Sequence, residues 1–297
     1  MASSHFPQLH GSEHNEVSDP LDRLSELPDS LILSILSLLS STRDVVSTTV
    51  LSKRWKDLWT TVPRLEFKDE NPEFICGVLE KWRGAQIQRF CLLCFCDELP
   101  PPTSSDVDSW LLFAMEKQVE DLHIYANDIA YCPPQSLYSC SSITKLDLEY
   151  CWFEIEGSVQ LNQLKMLSIR IPHSLSADAI NKLLLGAPRL EDMTLIDVEI
   201  NGNFNIISRS LKTLIIKEAD INGELTIRAP NLLTLEIRAY IHNGASFLCH
   251  VPSLTKACCF QAQHWYAYDP PLETFYQLLR CICHVKKVGL SELSTKV

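Results

Sequence analysis

Short apolar segments of one form, apolar-x-x-apolar-x-apolar, recur along most of this chain at nearly constant spacing. The clearest copies are Ile143/Leu146/Leu148, Leu164/Leu167/Ile169, Leu190/Met193/Leu195, Leu211/Leu214/Ile216 and Leu232/Leu235/Ile237. Further copies stand at Ile87/Phe90/Leu92, Val119/Leu122/Ile124, Leu254/Ala257/Cys259 and Val285/Val288/Leu290. With 46% of the 297 residues hydrophobic, one such triplet is a cheap match, but central steps of 21, 26, 21, 21 and 22 residues are not. Two other registers travel with the triplets. Pro188, Pro230 and Pro252 each sit two residues before a first apolar position, and Asn201-Gly202, Asn222-Gly223 and Asn243-Gly244 follow one another at 21. The Asn-Gly pairs predict a tight turn after each strand. A period in this range with this core predicts one strand per repeat, stacked into a curved solenoid with a parallel sheet, most regular over residues 119–260.

Composition narrows the class. The 37 acidic and 26 basic residues leave a net charge of −11, which argues against a general nucleic-acid binder, since phosphate neutralisation needs surplus cations. The longest apolar stretch, Leu31 to Leu39, is interrupted by Ser34 and Ser37, whereas a membrane-spanning helix needs about 20 apolar residues. Residues 1–20 are polar, follow no period and lack the apolar segment of a signal peptide, so they read as a disordered tail. The 12 cysteines show no regular framework and are expected as thiols in a reducing compartment, the cytoplasm or the nucleus or both.

Residues 21–66 read differently from the rest: Gly-free and helical. Leu24, Leu27, Leu31, Ile35 and Leu38 form one apolar stripe at three- and four-residue steps, with Ile32, Leu36 and Leu39 apolar on its flank. Pro28 and Asp29 suit the start of the first helix. Thr42 and Ser52 are the expected caps of two further short helices, the last placing Trp55, Leu58 and Trp59 on one side before Pro63 ends it. Three short helices with this much apolar surface call for a partner.

The block LPDSLILSILSLL at residues 27–39, followed by VLSKRWKDLW at residues 50–59, resembles an F-box, and both blocks ahead of such an array resemble the plant F-box/leucine-rich-repeat proteins. The resemblance implies an α+β chain: a three-helix F-box at 21–66 and a leucine-rich-repeat solenoid at 67–297. It further implies the substrate-recognition subunit of a Skp–cullin–F-box ubiquitin ligase, without catalysis or cofactor of its own. The F-box would dock the Skp-type adaptor through Leu27, Pro28, Ile32, Ile35, Leu36, Val50, Leu51 and Trp55. Through that adaptor the chain would join a cullin–RING ligase; the repeats would hold an unknown protein substrate, with no nucleic-acid or membrane partner. Members of this group often continue into a further C-terminal domain, and the chain is expected to be a short member or a fragment of it.

Residues between the apolar positions of each repeat are expected on the concave face of the sheet, where solenoids bind their partners. These are His123, Tyr125, Asp147, Glu149, Ser168, Arg170, Lys217, Glu236 and Arg238, with Thr194, Ile196 and Ile215 between them. Their mixed signs suit a protein or peptide epitope, and solvated strand residues would look the same. Cys91-x-x-Cys94-x-Cys96 and Cys281-x-Cys283-His284 carry residue types that bind zinc, although Cys94 and Cys96 also alternate like one face of a strand. Cys151 falls where such repeats favour Asn or Cys and reads as a core residue. His264-Trp265-Tyr266-Ala267-Tyr268 fits either a small ligand or packing beneath a loop. No G-x-S-x-G, G-x-x-x-x-G-K-[ST] or H-E-x-x-H is present. Two other readings stay open: a repeat scaffold without ligase output, and a zinc or small-ligand sensor.

Overall fold

The computed structural model describes residues 27–94, 102–126, 131–171, 174–242, 244–261 and 272–289. The tail at 1–20, Cys96 and the aromatic cluster at 264–268 lie outside the described residues. Helix α1 (Asp29–Leu36) starts behind Pro28, with Asp29 placed favourably at the positive end of the helix. Helix α2 (Thr42–Ser47) is capped by Ser41, whose hydroxyl accepts the Asp44 N–H at 3.1 Å. The cap therefore lies one residue before the expected Thr42, which is buried and accepts the Glu66 N–H at 2.7 Å. Helix α3 (Lys53–Leu58) follows Ser52, whose hydroxyl makes no capping bond.

The solenoid begins immediately. Strand β1 (Arg64–Lys68) overlaps the end of the helical segment, α4 (Pro72–Lys81) follows, and β2 (Arg89–Leu93) pairs with β1 in parallel. After α5 (Ser104–Glu116) come β3 (Asp121–Tyr125), β4 (Lys145–Glu149), β5 (Met166–Arg170), α6 (Ala177–Gly186) and β6 (Asp192–Ile196). Then β7 (Glu199–Ile207), β8 (Thr213–Arg228), β9 (Thr234–Ile241), β10 (Ser246–His250), β11 (Lys256–Gln261), α7 (Leu272–Cys281) and β12 (Lys287–Gly289) follow among the described residues. The main path runs β1-β2-β3-β4-β5-β6-β8-β9-β11-β12, all parallel, with β7 and β10 both paired to β8.

The register explains the apolar code. Leu65, Phe90, Leu122, Leu146, Leu167, Met193, Leu214 and Leu235 stack in one row, and Phe67, Leu92, Ile124, Leu148, Ile169, Leu195, Ile216 and Ile237 in a second. All are buried, because side chains alternate across a strand and both rows point inward. Asp69, Tyr150, Asp197 and Glu218, each directly after a five-residue strand segment, take positive φ between 51° and 57°. At Glu218 this left-handed residue marks a bulge, beyond which β8 pairs with β7 and β10 as well as with the end of β9.

The Asn-Gly pairs do not all make turns. Asn201-Gly202 and Asn222-Gly223 lie inside β7 and β8, directly opposite one another. Gly223 is needed for a close approach: a Cβ there would sit 2.1 Å from the Gly202 carbonyl oxygen. Only Gly244, at φ +92°, serves a turn, between β9 and β10.

Candidate functional site: a helical docking face and the open face of the sheet

The helices and the first strands share one core. Trp55 and Trp59 are buried with Val62 and Leu65, and the Trp82 indole N–H donates to the Val62 carbonyl at 2.9 Å. Arg43 clamps α2 to the turn after β1 through two bonds from Nε to Glu70, at 2.8 and 2.9 Å, and stacks 4.5 Å from the Phe74 ring centroid. Lys68 reaches the Ser40 carbonyl at 3.0 Å, and Arg54 on α3 pairs with Asp29 on α1. The helical module is thus fixed to the end of the solenoid rather than tethered.

Its outer surface is apolar. Leu31 is 51% exposed, Leu38 85%, Val50 86% and Leu51 48%, with Ile35 at 38%. Pro28 is exposed and Leu27 half-buried. Three of the residues expected to face a partner do not: Ile32, Leu36 and Trp55 are interior. The correction has a simple cause. Helix α1 packs on α3, so the flank of its apolar stripe becomes core and the stripe itself is left outside. Leu31 and Leu38 take the place of Ile32 and Leu36 on the open surface; their membership of the stripe was the signal that could have found them.

On the open face of the sheet the outward positions form columns. One column runs Glu66, Cys91, His123, Asp147, Ser168, Thr194, Ile215, Glu236, and the other Lys68, Leu93, Tyr125, Glu149, Arg170, Ile196, Lys217, Arg238. Charges along them are paired across strands. Arg89 lies 3.3 Å from Glu66 and donates to Asp121 at 2.7 Å. His123 Nε2 lies 3.1 Å from Glu149 Oε1, Glu149 Oε2 lies 3.3 Å from Arg170, and Lys217 lies 3.4 Å from Glu236. The rings of Tyr125 and Tyr150 meet with centroids 5.0 Å apart. Glu66, Arg89, Cys91 and Asp121 extend the face beyond the residues expected from the repeats; the alternation Arg64-Leu65-Glu66-Phe67-Lys68 was the signal for Glu66, and the copies at Ile87/Phe90/Leu92 and Val119/Leu122/Ile124 were the signal for the others.

His123 is the electrostatic centre. Burial alone would lower its pKa, but contacts with Cys91 (Sγ to Nδ1, 3.6 Å) and Glu149, together with the Asp147 charge, push it up to about 10. The same His123 contact holds the Glu149 carboxyl below its ordinary range, whereas burial raises that of Asp147. His123, Asp147 and Glu149 are the group among the described residues able to offer three metal ligands, their ligand atoms lying within 4.8 Å of one another. The proton on His123 and the Arg170 guanidinium already balance these carboxylates.

The cysteines expected as zinc candidates separate. Cys91 faces His123, Cys94 is buried, His284 Nε2 meets the Val251 carbonyl at 3.1 Å, and Cys283 is exposed. Cys151 is buried, and burial drives its thiol pKa well up, which leaves it an unreactive core residue. Among the described residues no helix is long and apolar enough to cross a membrane.

A three-helix module fused to a parallel-stranded repeat solenoid, with an apolar face on one and a polar face on the other, defines a binding protein of the F-box/repeat class. Comparison with known families agrees. The model of the F-box domain matches residues 24–67, and that of the leucine-rich repeats of the FBD-associated F-box protein At5g56370 matches residues 107–255. The chain belongs to the plant F-box/leucine-rich-repeat family. It is 33% identical to the FBD-associated F-box protein At5g56440 of Arabidopsis thaliana, over 80% of this chain and 59% of that protein. It is 34% identical to F-box/LRR-repeat protein At3g03360, over 59% and 38%, and 31% identical to F-box/LRR-repeat protein At3g26922, over 66% and 67%, both from the same plant. The chain spans about two fifths to three fifths of the length of the first two.

Proposed function

We propose that the protein is the substrate receptor of a Skp–cullin–F-box ubiquitin ligase, acting in the cytoplasm or nucleus and performing no chemistry itself. The observation that carries this reading is the apolar surface left open by Leu31, Ile35, Leu38, Val50 and Leu51 on a module rigidly joined to the solenoid. Exposed apolar side chains at helical spacing are suited to a partner groove, in which a few large residues supply most of the affinity. Leu27 and Pro28 belong to the same docking face. The open face of the sheet, centred on His123, Asp147, Glu149 and Arg170, holds a protein substrate. The ligase then gains by effective concentration, because the rigid joint fixes the distance between adaptor and substrate. The test is co-expression of the full chain with a plant Skp-type adaptor, followed by size-exclusion chromatography. A 1:1 complex is expected; a chain that elutes alone contradicts the reading.

A further inference from the structure

Several cations of this molecule have a carboxylate partner: Arg43 with Glu70, Arg54 with Asp29, Arg89 with Asp121, Arg170 with Glu149, Lys182 with Asp178 and Lys217 with Glu236. In one place four cations gather around a single carboxylate. An open groove of about 560 Å³ runs along the edge of the sheet where β5, β6, β8 and β9 begin, and Lys165, Arg189, Arg209 and Lys212 line it against the single carboxylate of Glu191. Lys212 pairs with Glu191 at 2.8 Å, the same carboxylate also feels the Lys165 charge, Arg189 donates to the neutral Gln163 amide at 2.6 Å, and Arg209 makes no ion pair among the described residues. A surplus of three positive charges therefore collects on a chain whose net charge is −11.

The backbone holds this groove in shape. Lys165, Glu191, Lys212 and Leu233 are successive rungs of one ladder, joined by N–H···O bonds of 2.9, 2.7 and 2.8 Å. The rungs are about 4.8 Å apart, so Lys165 and Lys212 lie about 10 Å from each other along the edge. Arg209 sits in a turn tied on both sides: the Ser208 hydroxyl accepts the Ser210 and Leu211 N–H groups at 3.3 Å each, and the Asn231 amide donates to the Arg209 carbonyl at 2.7 Å. Like charges held together on fixed turns repel one another, and an anion relieves that cost.

We infer that this groove binds an acidic peptide segment, with clustered carboxylates or phosphate groups, on the protein that the solenoid recognises. The inference deepens the receptor reading and rests on it only for calling that protein a substrate. The groove covers four rungs, which matches a short segment, and the acidity of the remaining chain repels a long polyanion such as nucleic acid.

The test uses the full chain and fluorescence anisotropy with three labelled probes: a decapeptide with three phosphoserines, its serine counterpart, and a 12-nucleotide single-stranded DNA. The phosphopeptide is expected to bind, weakening with added salt, and the serine peptide and DNA are not. Replacing Lys165→Glu and Arg209→Glu together, both exposed, is expected to weaken phosphopeptide binding about tenfold or more, and Glu191→Gln to strengthen it about twofold. Equal affinity for the double variant, no phosphopeptide binding by the parent, or DNA binding that shows the same loss overturns the proposal. Adaptor co-elution of the same variants is read in parallel. Its absence alongside retained phosphopeptide binding sinks the receptor reading and leaves the groove assigned.

Discussion

The helical module and the solenoid solve the same problem in opposite ways. Repeats bury their two apolar rows by stacking each strand on the next, and the outward columns that remain are mostly polar, with several of their charges paired across strands. The module is built on three short helices, so one flank of α1 is covered by α3 and the other stays open with Leu31 and Ile35, continued by Leu38 just beyond it. Apolar surface left outside in this way is a standing cost that a permanent partner removes. A face of paired charges is stable alone and binds only what can replace or join its pairs, which is the behaviour of a selective site. In the proposed receptor, the difference fits a constant partner at one end and a variable one at the other.

Four changes test that contrast. Leu38→Asp with Val50→Asp attacks the open stripe: at about 2 kcal/mol for each central interface residue, adaptor affinity should fall roughly a thousandfold, while the urea midpoint stays put. Titration calorimetry against the adaptor, beside urea denaturation, reads both. Leu36→Ala on the covered flank should do the reverse, costing about 3 kcal/mol of stability through an unfilled core site, with adaptor affinity kept in the folded fraction. Gly223→Ala should cost the solenoid about 2 kcal/mol, since its Cβ collides with the Gly202 backbone; thermal unfolding checks it. The smallest effect concerns pH. His123 has a folded pKa raised to about 10 from 6.5, so its stabilisation is full below pH 6.5 and is lost as pH rises towards 10. The stability difference between the parent and His123→Gln should therefore shrink between pH 6.5 and 10; a difference that grows would contradict the ion-pair network.

How much of this was legible in the sequence follows from the range of the forces involved. The rows Leu146/Leu167/Met193/Leu214/Leu235 could be read directly, because alternation and repeat length are local properties written into every copy. Which flank of α1 becomes core could not, because Leu31 and Ile32 are equally apolar and only the position of α3 separates them. The Asn-Gly pairs misled for a related reason. Gly in a turn and Gly at a close backbone approach have the same sequence signature, and the partner strand decides between them. In the candidate site, the period placed His123, Asp147 and Glu149 on one face. Their pairing with Arg170, and the extension through Arg89 and Glu66, depend on strand neighbours 21 to 32 residues away in sequence.

The division of labour between the two regions is tested most directly by hydrogen exchange of the full chain with and without the Skp-type adaptor. Amides between residues 27 and 51 are expected to gain protection while strands β3 to β9 exchange as before. Protection that appears in the solenoid instead, or no change anywhere at saturating adaptor, would contradict it.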